Sequence, residues 1–171
     1  EAYFWANFVL LSQWHAPRQG AKGIMCDQIR GNAWGLRNIA DAAWIAPGTD
    51  PEADYFARRI QNNIDFLVGK MLGPPEYNKL GFWGVRTVQD ARIQNPANPD
   101  WMIFVPWEHD YLIWSLHHLV ELGWAEAAKP RDFELRWRIG MFVSPEFDVR
   151  LAAPYRAVCG ERGSDKKIAF Y

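Results

Sequence analysis

The chain has 171 residues, and its 49% apolar and 23% charged content is the balance of a folded globular protein. This length suits about one domain, and we expect 1–171 to form a single helical domain that is a fragment of a larger protein. The net charge of −1 disfavours nucleic acid as a partner. No apolar run approaches the roughly 18 residues that a membrane span needs. The expected partners are therefore the remainder of the parent chain and a ligand.

Aromatic side chains are the outlier in the composition, with 10 Trp, 10 Phe and 6 Tyr. Large rings fill the space between packed helices, and they also form flat platforms against sugar rings. The two cysteines, Cys26 and Cys159, have no Cys or His neighbour at the spacing of a metal site. We expect no metal and no cofactor, and both a disulfide and two unreactive thiols stay open.

Five helices are predicted in chain order. Asp50 is the N-cap of the third helix and Pro51 its first residue, and Gly123 lies just past the end of the fourth. The five are Ala2–Trp14, Ala33–Ala46, the helix from Pro51 to the break at Gly73, Glu108–Leu122 and Pro130–Val143. The third carries an apolar stripe at helical spacing, made of Phe56, Ile60, Ile64, Leu67 and Met71.

A long connection, Leu72–Trp107, separates the third helix from the fourth. It is rich in proline and in aromatic residues, and connections of this length inside compact domains are often functional. A short β-hairpin is predicted within it, with strands near Gly81–Thr87 and Met102–Val105. Its rings are candidates for a sugar-stacking surface, and the alternative is that they fasten the loop to the helices.

The second and fourth helices share one sequence pattern. The stretch from Trp34 to Trp44 aligns without gaps on the stretch from Trp114 to Trp124, an offset of 114 − 34 = 80 residues. Both read W-small-L-x-x-aliphatic-aliphatic-acid-x-small-W. At an offset of 79, Pro51, Phe56, Arg59 and Ile60 align on Pro130, Leu135, Arg138 and Ile139. The pattern predicts a repeated helical hairpin, because one hairpin cannot bury its apolar face alone.

Two architectures stack helical hairpins in this way, the open solenoid and the closed (α/α) toroid. The repeat is nearly twice as long as a solenoid unit of about 33 to 47 residues, because of its loop. Long loops gathered at one end of a ring are typical of a toroid active site. We therefore predict an all-α fold of repeated helical hairpins, an arc or part of an (α/α) toroid, with one long aromatic-rich loop.

The residues that begin the repeated helices also carry a family resemblance. The stretch from Arg30 to Arg37, the helix Pro51–Lys70 and the stretch from Trp107 to Trp114 resemble segments of large uncharacterised bacterial proteins. Those proteins have helical toroid regions of the six-hairpin glycosidase and polysaccharide-lyase type. The resemblance covers Gln28–Pro154 and contains no catalytic signature. It implies a toroid fold and a polysaccharide ligand, which favours a periplasmic or extracellular location.

Two polar clusters lie at the starts of the repeated helices, where loops and inner helices meet. The first consists of Asp27, Arg30, Asn32, Trp34 and Arg37, and the second of Trp107, Glu108, His109, Asp110 and Tyr111. Our candidate catalytic residues are Glu108, His109, Asp110 and Tyr111. Our candidate substrate-binding residues are Arg30, Trp34, Arg37, Trp83, Trp101 and Trp107. In the repeat alignment Arg30 corresponds to Asp110, so the clusters are expected on one rim.

Two reactions fit these residue types. A glycosidase needs two carboxyls on opposite sides of a sugar bond, so Glu108 or Asp110 would need a partner from elsewhere, such as Asp27 or Asp41. A lyase needs a base and a cation that neutralises the substrate carboxylate. His109 or Tyr111 would be that base, and Arg30 or Arg37 that cation.

Simpler structural roles compete with both reactions. Acidic residues at a helix start commonly cap the helix and interact with its dipole, which would explain Glu108 and Asp110. Arg37 and Asp41 are four residues apart, as in a local ion pair.

We expect a carbohydrate-active or carbohydrate-binding protein that acts on a polysaccharide outside the cytoplasm. The alternative is a non-catalytic helical scaffold or interaction module of a large surface or secreted protein. Phosphate-loop, dinucleotide and serine-hydrolase motifs are missing from the sequence, so a nucleotide enzyme or a serine hydrolase is unsupported.

Overall fold

The structure is a computed structural model, and it describes residues 1–12, 18–25, 28–73, 101–145, 147–152 and 157–161. The described part is mostly helical, which confirms the all-α class. Its α-helices are α1 (Ala2–Leu11), α2 (Ile29–Ile45), α3 (Pro51–Met71), α4 (Pro106–Glu121) and α5 (Ala128–Val143). Short 3-10 helices lie at Gly20–Lys22, Ala125–Ala127 and Val149–Ala152, and two short strands are β1 (Trp101–Phe104) and β2 (Ala157–Glu161).

The strand predicted at Met102–Val105 is present as β1, one residue earlier. It pairs antiparallel with β2, and the register shifts between Met102 and Ile103. The expected partner, Gly81–Thr87, lies outside the described residues. The pairing that the structure describes thus joins the approach to α4 with a segment that follows α5.

Two helix ends follow from local sequence, and a third is set by burial in the core. Asp50 Oδ1 accepts a hydrogen bond from the Glu52 backbone N–H at 2.9 Å, so the predicted N-cap of α3 is confirmed. Gly123 has φ +106°, a conformation that favours glycine, and it lies just past the end of α4 as predicted. α2 begins at Ile29, four residues before the predicted start. Ile29 and Ala33 are buried in the core, and this burial outweighs the weak helix propensity of Gly31 between them.

The helices pack around α2. It contacts α1, α3 and α4, while α5 packs against α4 and against α3. α1 and α5 are therefore the outer members of the row α1–α2–α4–α5. The core lies between the first four helices, and the predicted stripe of α3 faces it: Phe56, Ile60, Ile64, Leu67 and Met71 are all buried.

Burial tests the equivalence of the repeated helices position by position. In α2 and α4 some matched positions agree: Trp34 and Trp114 are exposed, and Leu36, Ile39, Leu116 and Leu119 are buried. The second Trp of the pattern differs, because Trp44 is exposed and Trp124 is half-buried. In α3 and α5 the alignment at an offset of 79 is wrong. Phe56 and Ile60 are buried, whereas their counterparts Leu135 and Ile139 are exposed. The buried face of α5 instead carries Pro130, Glu134, Trp137 and Met141, because that is the face turned towards its neighbours.

Candidate functional site

The polar side chains in the first turn of α4 point in different directions. Consecutive residues of an α-helix are about 100° apart around the axis, so neighbours in sequence face different surroundings. His109 is 0% exposed, Glu108 is also buried, and Asp110 is exposed. The second predicted cluster is consequently divided between the core and the surface.

His109 belongs to a buried polar network with α5. Its Nδ1 lies 2.8 Å from Oε2 of Glu134, which is also 0% exposed, and the Trp137 Nε1–H donates to the same oxygen at 3.0 Å. The His109 and Trp137 rings meet edge to face, with centroids 4.8 Å apart. A polysaccharide in solvent does not reach an imidazole in this position. Burial therefore argues against His109 as the base of a lyase, and its contacts join α4 to α5.

Asp110 is held by an arginine from α5. The Arg138 Nε–H donates to Asp110 Oδ1 at 2.5 Å and its Nη2–H to Oδ2 at 2.8 Å, a bidentate pair. Arg138 is buried, so the pair offsets the cost of burying its charge. Asp110 was expected on the same rim as Arg30, but its carboxylate is committed to α5 instead.

Arg30 faces Glu108. The Arg30 Nε and Glu108 Oε1 are 3.9 Å apart, across the starts of α2 and α4. Burial raises the pKa of the Glu108 carboxyl above its usual value, although the Arg30 charge, the Arg30 backbone N–H and His109 act in the opposite direction. A carboxyl with a raised pKa is suited to donate a proton, and such groups are common in active sites. The two predicted clusters do meet, through this pair.

An exposed aromatic surface lies further along the same two helices. Trp34 is 57% exposed and Trp114 is 53% exposed. Tyr111 lies between them, with ring centroids 6.0 Å from Trp34 and 5.7 Å from Trp114. The Arg37 guanidinium lies 4.2 Å from the centroid of Trp114, and its Nη1 is 3.5 Å from the Tyr111 hydroxyl. We call these four residues the aromatic platform.

The ion pair predicted within α2 is absent from the described structure, and Asp41 makes a hydrogen-bond contact between helices instead. Asp41 Oδ1 lies 2.7 Å from Nε2 of His118 on α4, while Arg37 contacts the platform rings. The prediction that Arg37 pairs with Asp41 is therefore wrong. The reason is that α2 and α4 lie side by side, so each residue finds a closer partner on the other helix than on its own.

The remaining predicted residues are Trp107, Trp83, Trp101 and Asp27. Trp107 is half-buried in the first turn of α4. Trp83 and Asp27 lie outside the described residues, as does the side chain of Trp101, although its backbone belongs to β1. Cys26 is likewise outside them.

Our sequence reasoning missed three residues of these arrangements. Trp114 was seen only as a repeat marker, although its spacing of three from Tyr111 puts both rings on one helix face. Glu134 and Trp137 also escaped notice. The sequence does contain a pattern that indicates them. Apolar residues and one acid recur at helical spacing, at Pro130, Glu134, Trp137 and Met141.

In the described segments, no helix is long and apolar enough to cross a membrane. The same segments contain no group of three or more His, Cys, Asp or Glu side chains that could hold a metal ion. Comparisons with protein-family models, with curated proteins and with solved structures found no match.

Proposed function

We propose that this chain is a carbohydrate-binding segment of an (α/α) toroid, and that the aromatic platform is its contact surface for a polysaccharide outside the cytoplasm. The observation that carries the proposal is the pair of exposed rings, Trp34 and Trp114, at matched positions of neighbouring helices. Leaving two indoles in water forgoes the free energy of burying them, so their exposure favours a binding role.

The chemistry of the platform suits a sugar chain. Indole rings offer flat apolar faces to the C–H groups of a pyranose, and a ligand's hydroxyl groups need hydrogen-bonding partners nearby. The Tyr111 hydroxyl and the Arg37 guanidinium, which lies over the Trp114 ring, would supply such partners. Arg37 and Arg30 also add positive charge along these helices, which favours polysaccharides that contain uronic acids.

Binding without bond cleavage agrees best with the described residues. Glycoside hydrolysis needs two carboxyls in separate roles, and Asp110 is neutralised by Arg138. The lyase alternative loses one of its two candidate bases, because His109 lies in the core. We expect no new reducing or unsaturated ends when polygalacturonate or xylan is incubated with the protein. Their appearance at a rate that Glu108→Gln abolishes would contradict the non-catalytic form of the proposal.

Calorimetric titration with hexasaccharides of glucose, xylose, N-acetylglucosamine and galacturonic acid tests the binding. At least one should bind, and replacing Trp34 or Trp114 with alanine should weaken it by about 1–3 kcal/mol, the loss of one stacking ring. Trp44→Ala is the matched control, since Trp44 is 65% exposed on α2 but outside the platform. If none of the four sugars binds, or if all three variants weaken binding equally, the proposal fails.

The alternative function, a non-catalytic interaction module, is favoured by a different observation. The two outer helices expose apolar rows, Phe4, Trp5, Phe8 and Leu11 on α1 and Leu135, Ile139, Phe142 and Val143 on α5. These two apolar surfaces differ from each other and lie on the two outer helices, so they are suited to head-to-tail association between copies of the chain. Sedimentation should then show concentration-dependent association that Phe8→Asp removes, while Trp34→Ala leaves it intact. A monomer at every concentration would contradict this alternative.

A further inference from the structure

A groove with a cavity volume of about 380 Å³ lies away from the platform, between the end of α1, the turn at 18–23 and the first half of α3. Its described lining includes Leu10, Leu11, Arg18, Gly23, Tyr55 and Arg59. The volume is within the range of small-ligand sites, about 300–1,000 Å³. Of the described lining residues, two are arginines and none is acidic.

Among the described residues, Arg18 and Arg59 have no carboxylate partner. Buried or half-buried arginines normally pair with carboxylates. Arg18 is half-buried, and its Nε has no hydrogen-bond partner within the described structure. Arg59 is also half-buried, and its guanidinium lies 4.3 Å from the centroid of the Tyr55 ring, with no ion pair among the described residues. The groove therefore concentrates positive charge that this part of the chain does not neutralise.

Gly23 is what allows the groove to take this shape. Its φ is +66°, a conformation that side-chain-bearing residues rarely adopt. A Cβ at this position would lie 2.8 Å from Arg59 Cδ and 2.9 Å from Leu10 Cδ2. The segment is fastened to α3 by Asn63, whose side chain donates to the Gly23 carbonyl at 2.9 Å and accepts from the Met25 N–H at 2.8 Å. The groove is thus formed by a fixed turn.

We propose that this groove binds a small organic anion, a carboxylate that carries an apolar chain or ring. The planar fork of a guanidinium matches a carboxylate in two parallel hydrogen bonds, and Arg18 and Arg59 would supply that contact. Leu10, Leu11 and the Tyr55 ring would contact the apolar part. This site is separate from the platform and does not depend on the proposed carbohydrate binding.

Calorimetric titration with hexanoate and with benzoate tests this site, and hexanamide and inorganic phosphate separate apolar binding from simple charge attraction. We expect hexanoate or benzoate to bind, hexanamide and phosphate to bind at least about tenfold more weakly, and Arg18→Gln and Arg59→Gln each to weaken carboxylate binding about tenfold. Arg58→Gln is the matched control, because Arg58 is the exposed neighbour of Arg59 outside the groove.

Four outcomes would overturn the proposal. They are no binding of either carboxylate at millimolar concentration, equal binding of hexanamide, equal binding of phosphate, and equal losses in Arg58→Gln and the two groove variants. Circular dichroism checks that each variant folds. Arg59 also contacts Tyr55, so Arg59→Gln could affect folding as well as binding. If that variant does not fold, the loss of carboxylate affinity in Arg18→Gln tests the proposal. Trp34→Ala should leave carboxylate affinity unchanged, which keeps this test distinct from that of the platform.

Discussion

The guanidinium of Arg37 lies 4.2 Å from the centroid of the Trp114 ring, and this contact joins the two central helices on their exposed side. The same guanidinium reaches the hydroxyl of Tyr111. On the other side of the two helices, Leu36 and Leu116 are packed into the core. α2 and α4 are thus held together both by buried apolar contacts and by a polar aromatic contact that remains in water.

The contact between Arg37 and Trp114 should be measurable as a coupling energy. Cation–π pairs at exposed sites contribute about 0.5–1 kcal/mol. A double-mutant cycle with Arg37→Ala and Trp114→Ala, followed by urea unfolding, should give a coupling of that size. The same cycle with Arg37 and Trp44, which do not touch, is expected to give additive effects. Additivity in the first cycle would mean that the contact adds no stability.

The glycines of α2 should respond in opposite directions to alanine. A Cβ on Gly31 would meet no atom within 4 Å, so Gly31→Ala should stabilise the fold by up to about 1 kcal/mol through helix propensity. A Cβ on Gly35 would overlap with the thioether of buried Met25, so Gly35→Ala should destabilise by about 1–3 kcal/mol. Denaturant midpoints of the two variants measure both effects. Equal stabilisation by both would show that Met25 does not pack against α2 in this way.

Glu134 should be the most costly acid to remove from α5. Glu134→Ala leaves the buried polar atoms of His109 and Trp137 without this acceptor, for which we expect a loss of about 2–5 kcal/mol. Asp132→Ala on the same helix removes an exposed carboxylate and should change stability by no more than about 0.5 kcal/mol. Urea unfolding compares the two variants, and similar losses would refute the buried network.

The raised pKa of Glu108 should make stability depend on pH. Between the ordinary pKa of a Glu carboxyl, about 4.3, and the raised pKa of Glu108 in the folded state, the folded protein holds a proton that the unfolded chain has released. Stability therefore falls as pH rises through this window. Glu108→Gln cannot ionise. Its stability relative to the original chain should therefore increase across this window and be constant below it.

The original chain, unfolded in parallel at each pH, is the reference for Glu108→Gln. Unfolding in urea at intervals between about pH 4 and pH 8 measures the variant and the original chain. A Glu108→Gln difference that is flat with pH would contradict the desolvation of this carboxyl.

Periodicity and caps were enough to predict the helices, because these signals are local. The stripe of α3, its Asp50 cap and the glycine after α4 all appear where the sequence indicates. The alignment of α3 on α5 failed for a physical reason. A helix turns its apolar face to whatever neighbour it has, and Phe56 packs into the core whereas Leu135 faces solvent. The strand pairing of β1 depends on residues distant in sequence, which local patterns do not reveal.

The candidate site was predicted in part. The sequence placed Trp34 and Arg37 among the substrate-binding candidates and Tyr111 among the catalytic candidates, and the structure brings these three together. The sequence does not indicate in which direction neighbouring side chains of α4 point. The burial of His109 and the exposure of Trp114 were therefore not predicted. Side-chain direction around a helix depends on which face packs, and that is a property of the tertiary arrangement.

The central claim, that the aromatic platform binds a sugar chain, is tested most directly by the indole N–H signals of the protein. The chain has 10 Trp residues, and single Trp→Phe variants assign their nitrogen–proton correlation peaks. Titration with the hexasaccharide that binds most tightly should shift the peaks of Trp34 and Trp114 together and leave those of Trp44 and buried Trp137 in place. Shifts confined to other indoles, or no shifts at saturating sugar, would contradict the account.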